Sequence, residues 1–548
     1  MESIMPAGAM STISSTSIAA TALTLVVSYK LIRSCSREQG LPPGPPTVPL
    51  LGNILQITTK DMYLRFTEWS REFGEIYSLK IGPSTVIVLS SPSSIKDVLD
   101  RQSAYTSDRP EHTLSELVTD GWNLFLSRYN DRWRRMRKAA QMLLAPSVVK
   151  DYLPIQDAES TQLLFDVLST PDKFFTHMNR YSNSIALSII YGKRSPRMET
   201  PTAAAIVEIT ERWNAFMEPG ATPPLDIYPM LKWIPNFMAP WMNRAHEIRN
   251  MQRTLYLDLF DECHKRVEAG DGAFFMGDVI RDQKDHGLNR KQMSALAGSI
   301  YEAGSETGAT VMHNLILLLA AHPDVQTRLQ AEIDGVVGAG RLPEHKDSEH
   351  MPFLRAVLQE AHRFRTVAPI SLPHRATKDL HYKEYLVPEG ATLLGNLYAL
   401  YHDPDLFEDP FTFNPNRYLD NEYGTKPGVD TCDFRTTLNF GFGRRICPGM
   451  HLADVSAVLG AMKLFWAFTF RPPTDPVTGE IVPLDVLKNR DGIAAGPPPF
   501  KCDIHCRSPA RAEIIRHAFK VDAAQTLSLY EFNLSQADKA WLESVRAA

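Results

Sequence analysis

The chain has 548 residues, of which 44% are hydrophobic and 22% are charged, a composition that excludes collagen-like and disordered classes. Its formal net charge of −5 provides no global attraction to nucleic acid, so no nucleic-acid partner is expected. Six cysteines are too few for a disulfide-stabilised secreted scaffold of this length, which predicts mostly free thiols in a reducing compartment. No long polar linker divides the chain, and one large domain is therefore expected.

The N-terminal stretch 10–32 contains no acidic residue and a single basic one, Lys30, and it is just long enough to cross a bilayer. Glu2 precedes it and further basic residues follow it, so the positive-inside rule places the N-terminus in the lumen and the rest in the cytosol. We therefore predict that residues 1–40 form an uncleaved single-pass membrane anchor with a basic flank. A cleaved signal peptide is the alternative.

Residues 41–50 contain five prolines. Proline fixes φ and biases the residue before it toward extended conformations. This segment is therefore predicted to be a stiff, non-helical hinge between the anchor and the main body, which we assign to residues 51–507. Residues 508–548 read as a helical, charged C-terminal extension of unknown role.

Apolar residues in the body recur mainly at helical spacing, with short alternating runs typical of strands. The helical segments are 92–101, 131–168, 240–268, 291–321 and 349–364, and the strand-like runs are 75–81, 85–89 and 380–386. Proline and glycine punctuate a long irregular stretch over 402–445. The predicted fold class is mostly α with small β-sheets.

The most informative segment, 440–449, reads FGFGRRICPG and runs directly into another helical pattern. Cys447 then lies at the start of a helix, where the helix dipole favours the thiolate. Gly443 and Gly449 allow the backbone to approach a flat, bulky group, while Arg445 can meet a carboxylate and Phe440 can cover the loop. The alternative is a glycine-rich turn beside a buried structural cysteine.

The pattern Phe-x-x-Gly-x-Arg-x-Cys-x-Gly closely resembles the heme-binding signature of cytochromes P-450. The resemblance extends from the hinge to about residue 506 and is strongest to membrane-anchored fungal members that modify secondary metabolites. It implies a cytochrome P-450 fold with a single large catalytic domain after the transmembrane helix. It also implies heme b (iron protoporphyrin IX) with Cys447 as the axial iron ligand, and a catalytic domain on the cytosolic side of the endoplasmic reticulum membrane.

The segment AGSET at 303–307 matches the family's oxygen-activating motif within the predicted helix 291–321. The resemblance implies that Thr307 and Glu306 deliver protons and that Gly304 makes room for a ligand against the helix. On its own the motif would also fit a kinked helix with a surface glutamate. Thr310 is an alternative hydroxyl for the relay.

Glu360 and Arg363 resemble the family's Glu-x-x-Arg pair, and Arg417 resembles its third member. The spacing alone is uninformative, because pairs such as Glu513–Arg516 share it and usually form surface salt bridges. The distance of Glu360 from Cys447 selects this pair. The resemblance implies a structural role, in which the three residues brace the loop that carries the thiolate.

Trp133 and Arg137 lie one helical turn apart, so both can reach one carboxylate, and the resemblance implies a heme propionate. His374 falls where the family often places another propionate partner, although Arg375 could serve instead. Trp133 also belongs to a basic run, which the resemblance implies is the docking surface for an electron-donating flavin domain. The run comprises Arg128, Arg132, Arg134, Arg135, Arg137 and Lys138.

The resemblance implies a monooxygenase that uses dioxygen and electrons from a separate NADPH-dependent flavoprotein reductase. Segments 104–125, 213–241 and 366–372 are expected to line a largely apolar pocket, which favours a hydrophobic substrate such as a terpenoid or an aromatic polyketide. One alternative is a heme-thiolate isomerase or dehydratase that acts without dioxygen. Another is a non-catalytic heme-binding sensor. The acid–hydroxyl pair in AGSET counts against both.

Overall fold

The computed structural model describes residues 36–218, 220–432, 435–490 and 494–547, together with Ala22. The predicted membrane anchor at 10–32 falls, apart from Ala22, outside these residues. Within the described part of the chain, no helix combines the length and the apolar character needed to cross a membrane.

Helices dominate the described body, as the spacing of apolar residues predicts. Those of seven residues or more are α1 Met62–Phe73, α2 Thr113–Thr119, α3 Asp131–Leu143, α4 Leu153–Ser169, α5 Phe174–Tyr191, α6 Pro201–Met217, α7 Pro240–Glu268, α8 Phe275–Arg281, α9 Arg290–Ala321, α10 Pro323–Val337, α11 Pro352–Phe364, α12 Met450–Ala467, α13 Pro509–His517 and α14 Gln536–Ala547. Shorter helices lie at Pro92–Ile95, Ser103–Thr106, Pro146–Val149, Gln283–His286, Leu397–Tyr401, Arg417–Asp420 and Ala524–Ser528.

Three small sheets accompany the helices in the described residues. The strands are β1 Ile76–Ile81, β2 Ser84–Leu89, β3 His374–Arg375, β4 Leu380–Tyr382, β5 Tyr385–Val387, β6 Thr392–Gly395, β7 Phe468–Arg471 and β8 Asp503–Cys506. The largest sheet has the order β1-β2-β6-β3, and β2 pairs parallel to β6 while its other pairings are antiparallel. The mostly helical class with small sheets is thus confirmed.

Helix α9 runs through the interior between α5 and α12. Asn289 caps its first turn by accepting from the backbone N–H of Gln292, which satisfies a donor that a helix start leaves unpaired. A Cβ on Gly308 would lie 2.4 Å from Ser182 Oγ of α5, and one on Gly460 of α12 would lie 2.9 Å from Met312 Cε. Glycine at these positions therefore lets the helices on both sides approach α9 closely.

The predicted helix 131–168 is interrupted in the structure. It ends at Leu143 and resumes through Pro146–Val149 before α4 begins at Leu153. Ala145 is extended, at φ −64° and ψ 149°, because a following proline disfavours the helical conformation at that residue. The strand-like run 380–386 forms the hairpin β4–β5, which turns at Lys383 with φ of +52°.

Helix α5 was not predicted, because polar residues such as Arg180, Asn183 and Ser184 are mixed among its apolar ones. All but a few of its residues, polar and apolar alike, are buried between α4, α8 and α9. The helix therefore lacks the solvated polar face that marks a surface helix.

The C-terminal residues pack onto the body. The ring of Phe519 stacks on Phe165 of α4 with a centroid distance of 4.2 Å. Arg194, which is fully buried, pairs with Glu531 at 3.0 Å. The C-terminal extension thus contributes to the main core, together with residues of α4 and α12.

The proline-rich hinge is non-helical, as expected, and lies along β1. The backbone N–H of Ser78 donates to the carbonyl of Pro43 at 2.8 Å, and its hydroxyl donates to that of Pro42 at 2.7 Å. A Cβ on Gly44 would lie 2.2 Å from Ser78 O, so this close contact requires glycine.

Candidate active site

The cysteine loop joins two 3-10 turns, Leu438–Phe440 and Gly443–Arg445, to the start of α12. The backbone N–H of Cys447 donates to Phe440 O at 2.8 Å, which closes the loop on itself. Gly443 has φ of +51°, and a Cβ there would lie 2.5 Å from Leu99 O. Glycine at this position therefore lets the loop pack closely against the helical segment Lys96–Arg101, and the ligand contact of Gly443 stays a prediction.

The Cys447 thiol lies just before the first turn of α12. Burial raises the pKa of this thiol, while the Gly449 N–H and the charge of Arg137 oppose that rise. A Cβ on Gly449 would meet no described atom within 4 Å, so the backbone here is open to close approach. The ring of Phe440 lies 6.0 Å from that of His362 on α11, which links the loop to the helix behind it.

Three buried arginines gather beside this loop, namely Arg109, Arg137 and Arg445. Burial, together with the charges of Arg109 and Arg137, lowers the pKa of Arg445 to about 8 despite the opposing effect of Asp108. Burial likewise lowers the pKa of Arg109 to about 10. The cluster therefore holds more positive charge than Asp108 can balance.

Two guanidinium nitrogens of the cluster, Arg445 Nη1 and Arg137 Nε, are buried without a hydrogen-bond partner in the described residues. Leaving such donors unpaired is costly, and carboxylates are the partners that guanidinium groups prefer. A ligand that carries carboxylates and can bind a cysteine thiolate therefore fits this site. Heme b is such a ligand. Cys447 would hold its iron, and Arg445, Arg137 and Arg109 would face its propionates.

Trp133 contributes to the cluster through the face of its ring. Its indole N–H donates to Leu124 O at 2.9 Å, so the only hydrogen-bond donor of this side chain already has a backbone partner. The guanidinium of Arg445 lies over the ring, 3.9 Å from its centroid, an arrangement that stabilises a buried cation. A direct contact of Trp133 with a propionate stays a prediction.

His374 is buried at the edge of the same cluster. Its Nδ1 lies 2.8 Å from Thr106 O, and burial together with the charges of Arg109 and Arg445 lowers its pKa well below the usual value. The ring is therefore neutral, with its N–H directed at that carbonyl. Arg375, the alternative, lies 3.5 Å from Asp108, and the propionate role of either residue stays a prediction.

The motif 303–307 lies in the middle of α9 and exposes two residues, Gly304 and Thr307, whereas most of the helix is buried. Thr307 Oγ1 donates to Ala303 O at 2.7 Å, leaving the oxygen free to accept. A Cβ on Gly304 would lie 3.4 Å from Ala186 Cβ of α5. A larger side chain would make ordinary van der Waals contact on that side, and the ligand role of Gly304 stays a prediction.

Glu306 is held by residues from two other parts of the chain. Asn214 Nδ2 of α6 donates to its Oε1 at 3.0 Å, and Arg490 Nη2 lies 3.4 Å from the same oxygen. Arg490 is also 3.4 Å from the hydroxyl of Thr310. Both candidate relay hydroxyls, Thr307 and Thr310, are thus within one helical turn of this acid.

Glu360, Arg363 and Arg417 meet in the interior, as the resemblance implies. Both oxygens of Glu360 accept from Arg363, at 2.7 and 2.9 Å, and Arg417 Nε lies 3.2 Å away. Arg363 also donates to Tyr401 O at 2.6 Å. The cluster therefore fastens α11 to the irregular chain before the cysteine loop.

Sequence reasoning missed three residues of the site, Arg109, Asn214 and Arg490. Arg109 and Asn214 lie in segments 104–125 and 213–241, which were expected to line the pocket, but nothing distinguished them there. Arg490 reaches Glu306 across 184 positions of sequence. No local pattern predicts such a contact.

Comparison with known proteins agrees with this geometry. A family model described as cytochrome P450 matches residues 42–495. A cytochrome P450 monooxygenase of Armillaria gallica is 38% identical over 524 residues, which cover 95% of this chain and 100% of that protein. Cytochrome P450 monooxygenase yanC of Aspergillus niger is 36% identical, covering 94% of this chain and 98% of its own, and patI of Penicillium expansum is 33% identical, covering 92% and 95%. This chain therefore belongs to the cytochrome P450 family and is an oxidoreductase of the monooxygenase type.

Proposed function

We propose that this enzyme inserts one oxygen atom of dioxygen into a hydrophobic small molecule, of terpenoid or aromatic polyketide type, in secondary metabolite biosynthesis. Its electrons come from NADPH through a separate flavoprotein reductase. The observation that carries the proposal is the half-buried Cys447 thiol beside arginines with unpaired donors. That donor set suits a heme held by its iron and its propionates.

Bound heme supplies the redox chemistry, since thiolate ligation favours splitting of the O–O bond. The protein's own contribution is to bind, orient and manage protons. Arg445, Arg137 and Arg109 neutralise the propionates, and the paired cluster at Glu360 holds the backbone that leads to Cys447. Glu306 can pass a proton to the hydroxyl oxygen of Thr307, whose own proton can then move on.

The surroundings of the motif 303–307 favour an uncharged substrate. Glu306 and Arg490 lie 3.4 Å apart and largely neutralise each other, so neither is left to recognise a substrate charge. Gly304 and Thr307 are the exposed residues of this motif. The only polar side-chain group that they offer is one hydroxyl. These features support a hydrophobic substrate with few polar groups.

We further propose that the protein is anchored in the endoplasmic reticulum membrane with its catalytic domain in the cytosol. An exposed apolar surface beside the hinge supports this arrangement. Trp233 and Phe237 are 85% and 87% exposed, and Leu55 is 71% exposed. Tyr228 donates to Leu50 O at 3.1 Å, which joins the two chain segments. Apolar surface of this kind is typical of a membrane-facing region.

The reductase docks, in this proposal, on the basic surface of α3. Arg134, Arg135 and Lys138 are exposed there, and Arg444 extends the surface from the cysteine loop. Arg137 of the same helix donates to Ile446 O, next to Cys447. Positive charge at this place would steer an acidic partner to the side of the site that holds the thiolate.

The proposal is tested by product analysis under isotopically labelled dioxygen. The chain is co-expressed with a microsomal reductase and supplied with pooled terpenoid and aromatic polyketide candidates, and the variant Cys447→Ser serves as control. A Cys447-dependent product with one labelled oxygen atom is expected. A Cys447-dependent product without label would instead favour isomerase or dehydratase chemistry, and binding without any turnover across broad pools would favour a sensor.

A further inference from the structure

We propose that Glu302 resupplies protons to Glu306 through a cavity that runs along α9 from the protein surface. This inference rests on the proposed monooxygenase function and adds an entry route for its protons. Glu302 acts through Glu306, so it is a positioning residue for proton delivery and touches no reacting atom.

A cavity of about 50 Å³ lies between α2, α7 and α9. On α9 its lining follows one face of the helix, from the exposed Lys291 through Ser294, Ala295 and Ser299 to Glu302. At about 1.5 Å per residue, this face extends roughly 16 Å inward. One water molecule needs roughly 10–15 Å³ of such volume, so a few water molecules fit. The cavity therefore joins the surface to the half-buried carboxyl of Glu302.

The mouth of the cavity is charged and accessible. Asp120 and Lys291 are exposed, and Arg253 lies 3.8 Å from Asp120. Charged groups at an opening keep it hydrated and exchange protons with bulk water. The opposite end is closed by α7 and Glu302.

At that closed end, Glu302 has few partners. Its Oε1 accepts from Gln252 Nε2 at 2.8 Å. The hydroxyl of Tyr256, a residue that is 8% exposed, lies beside the carboxyl and acts to lower its pKa. A Cβ on Gly298 would lie 2.3 Å from the Tyr256 ring. That glycine lets the tyrosine lie against α9, next to the carboxyl.

Glu302 and Glu306 are four residues apart on α9 and so share one face of the helix. Side chains at this spacing have Cβ atoms about 5–6 Å apart, a distance that one water molecule can bridge between carboxyls. A proton that leaves Glu302 for Glu306 is replaced by one from water in the cavity. Glu302 thus returns to its starting state, and no oxidant or reductant is consumed.

The surroundings of Glu302 suit this exchange. Burial, and to a lesser extent the charge of Glu306, raises the pKa of Glu302 to about 7. The other titratable groups facing it are Tyr256 and Tyr191, and Arg253, Asp120 and Lys291 lie farther along the cavity. The carboxyl therefore holds a proton below about pH 7 and loses it above. Its supply to Glu306 should weaken as pH rises through that value.

The test compares Glu302→Gln with the wild type in the heme-loaded, membrane-bound enzyme with reductase. Glutamine keeps the size of the side chain but cannot donate a carboxyl proton. Coupled product per NADPH should fall roughly tenfold, less than for a donor in direct contact with the reacting atoms. The pH dependence centred near 7 in the wild type should also disappear. Glu268→Gln removes an exposed glutamate at the end of α7 and should change neither quantity.

A second measurement needs no turnover. In the resting heme-loaded protein, difference infrared spectra recorded across pH should show a protonated carboxyl band that disappears near pH 7. The band should be missing from Glu302→Gln and retained in Glu268→Gln. If Glu302→Gln does not fold, Glu302→Asp decides the matter, because aspartate should keep the coupling with a shifted pH midpoint.

The outcomes separate this inference from the proposed function. A wild-type enzyme without labelled product, but with the titrating Glu302 band, would overturn the function and leave the carboxyl assignment intact. Labelled product with unchanged coupling and pH profile in Glu302→Gln would overturn the proton route alone. An infrared band that survives in Glu302→Gln would overturn the assignment of the titrating group.

Discussion

Glu360 on α11 and Glu302 on α9 are both glutamates in the interior, but their partners differ. Glu360 is fully buried and binds Arg363 through both oxygens, with Arg417 at 3.2 Å. Glu302 has the neutral amide of Gln252 at 2.8 Å and no arginine or lysine among the causes that shift its pKa, which burial raises to about 7.

The difference shows how the same residue type serves two purposes. Two guanidinium groups commit Glu360 to one geometry, which fixes the backbone that leads to Cys447. A carboxyl that faces a cavity and has only neutral donors beside it can instead change its protonation state near neutral pH. The braced region holds the ligand in place, and the face of α9 moves protons.

The largest effect on activity should come from substitution of Cys447, whose loop the Glu360 cluster braces. Cys447→Ser should abolish both product formation and the absorption spectrum of thiolate-ligated heme, because a serine hydroxyl does not supply the thiolate ligand. Cys506→Ser, on β8, is the matched control and should leave both unchanged. Full turnover in Cys447→Ser would refute the ligand assignment.

Breaking the brace should cost folding stability. Glu360→Gln leaves Arg363 and Arg417 buried without a countercharge, and loss of one partner of a buried pair costs about 3–5 kcal/mol. Denaturant unfolding and heme content would both report the loss. Glu513→Gln has the same Glu-x-x-Arg spacing, but its pair with Arg516 at 3.4 Å is exposed.

The surface pair should contribute no more than about 1 kcal/mol. Equal destabilisation by Glu360→Gln and Glu513→Gln would contradict the bracing role, since only the buried pair touches the chain before the cysteine loop.

On α9 the expected effect is on coupling and not on stability. Thr307→Ala removes the hydroxyl beside Glu306, and electrons should then be diverted to peroxide, with coupled product falling about tenfold or more. Peroxide and product per NADPH are the measurements. Thr327→Ala is a close control, because Thr327 makes the same hydrogen bond to a carbonyl four residues earlier, at 2.7 Å. Unchanged coupling in Thr307→Ala would shift the relay to Thr310.

The sequence was sufficient to predict the mostly helical class, the course of α7 and α9, the position of Cys447 and the members of the Glu360 cluster. These features depend on local periodicity or on a motif of fixed spacing. The break before Pro146 also had a local signal, since proline disfavours helix at the residue before it. That signal was outweighed by the continuous apolar pattern of 131–168.

The rest of the site depends on contacts between distant segments. Arg490 meets Glu306, and Arg109 joins Arg445, only because the chain folds back on itself. The close contact of Gly443 with Leu99, which its positive φ allows, likewise joins segments far apart in the sequence. Glu302 stands two residues after Ile300 in an apolar stretch, yet its raised pKa arises from burial that only the packing of α7 creates.

The smallest expected effect is on reductase docking at the basic surface of α3. Charge reversal of Arg134 and Arg135 to glutamate should raise the reductase concentration needed for half-maximal turnover several-fold at low salt, since rim charges act mainly on association. The effect should shrink as ionic strength rises toward physiological values, where charges are screened beyond about 8 Å. Reversal of Arg516 and Lys520, near the C-terminus, changes the net charge equally and should have no such effect. Equal effects from the two double variants would mean that the reductase responds to overall charge, and α3 would then lose its assignment as the docking surface.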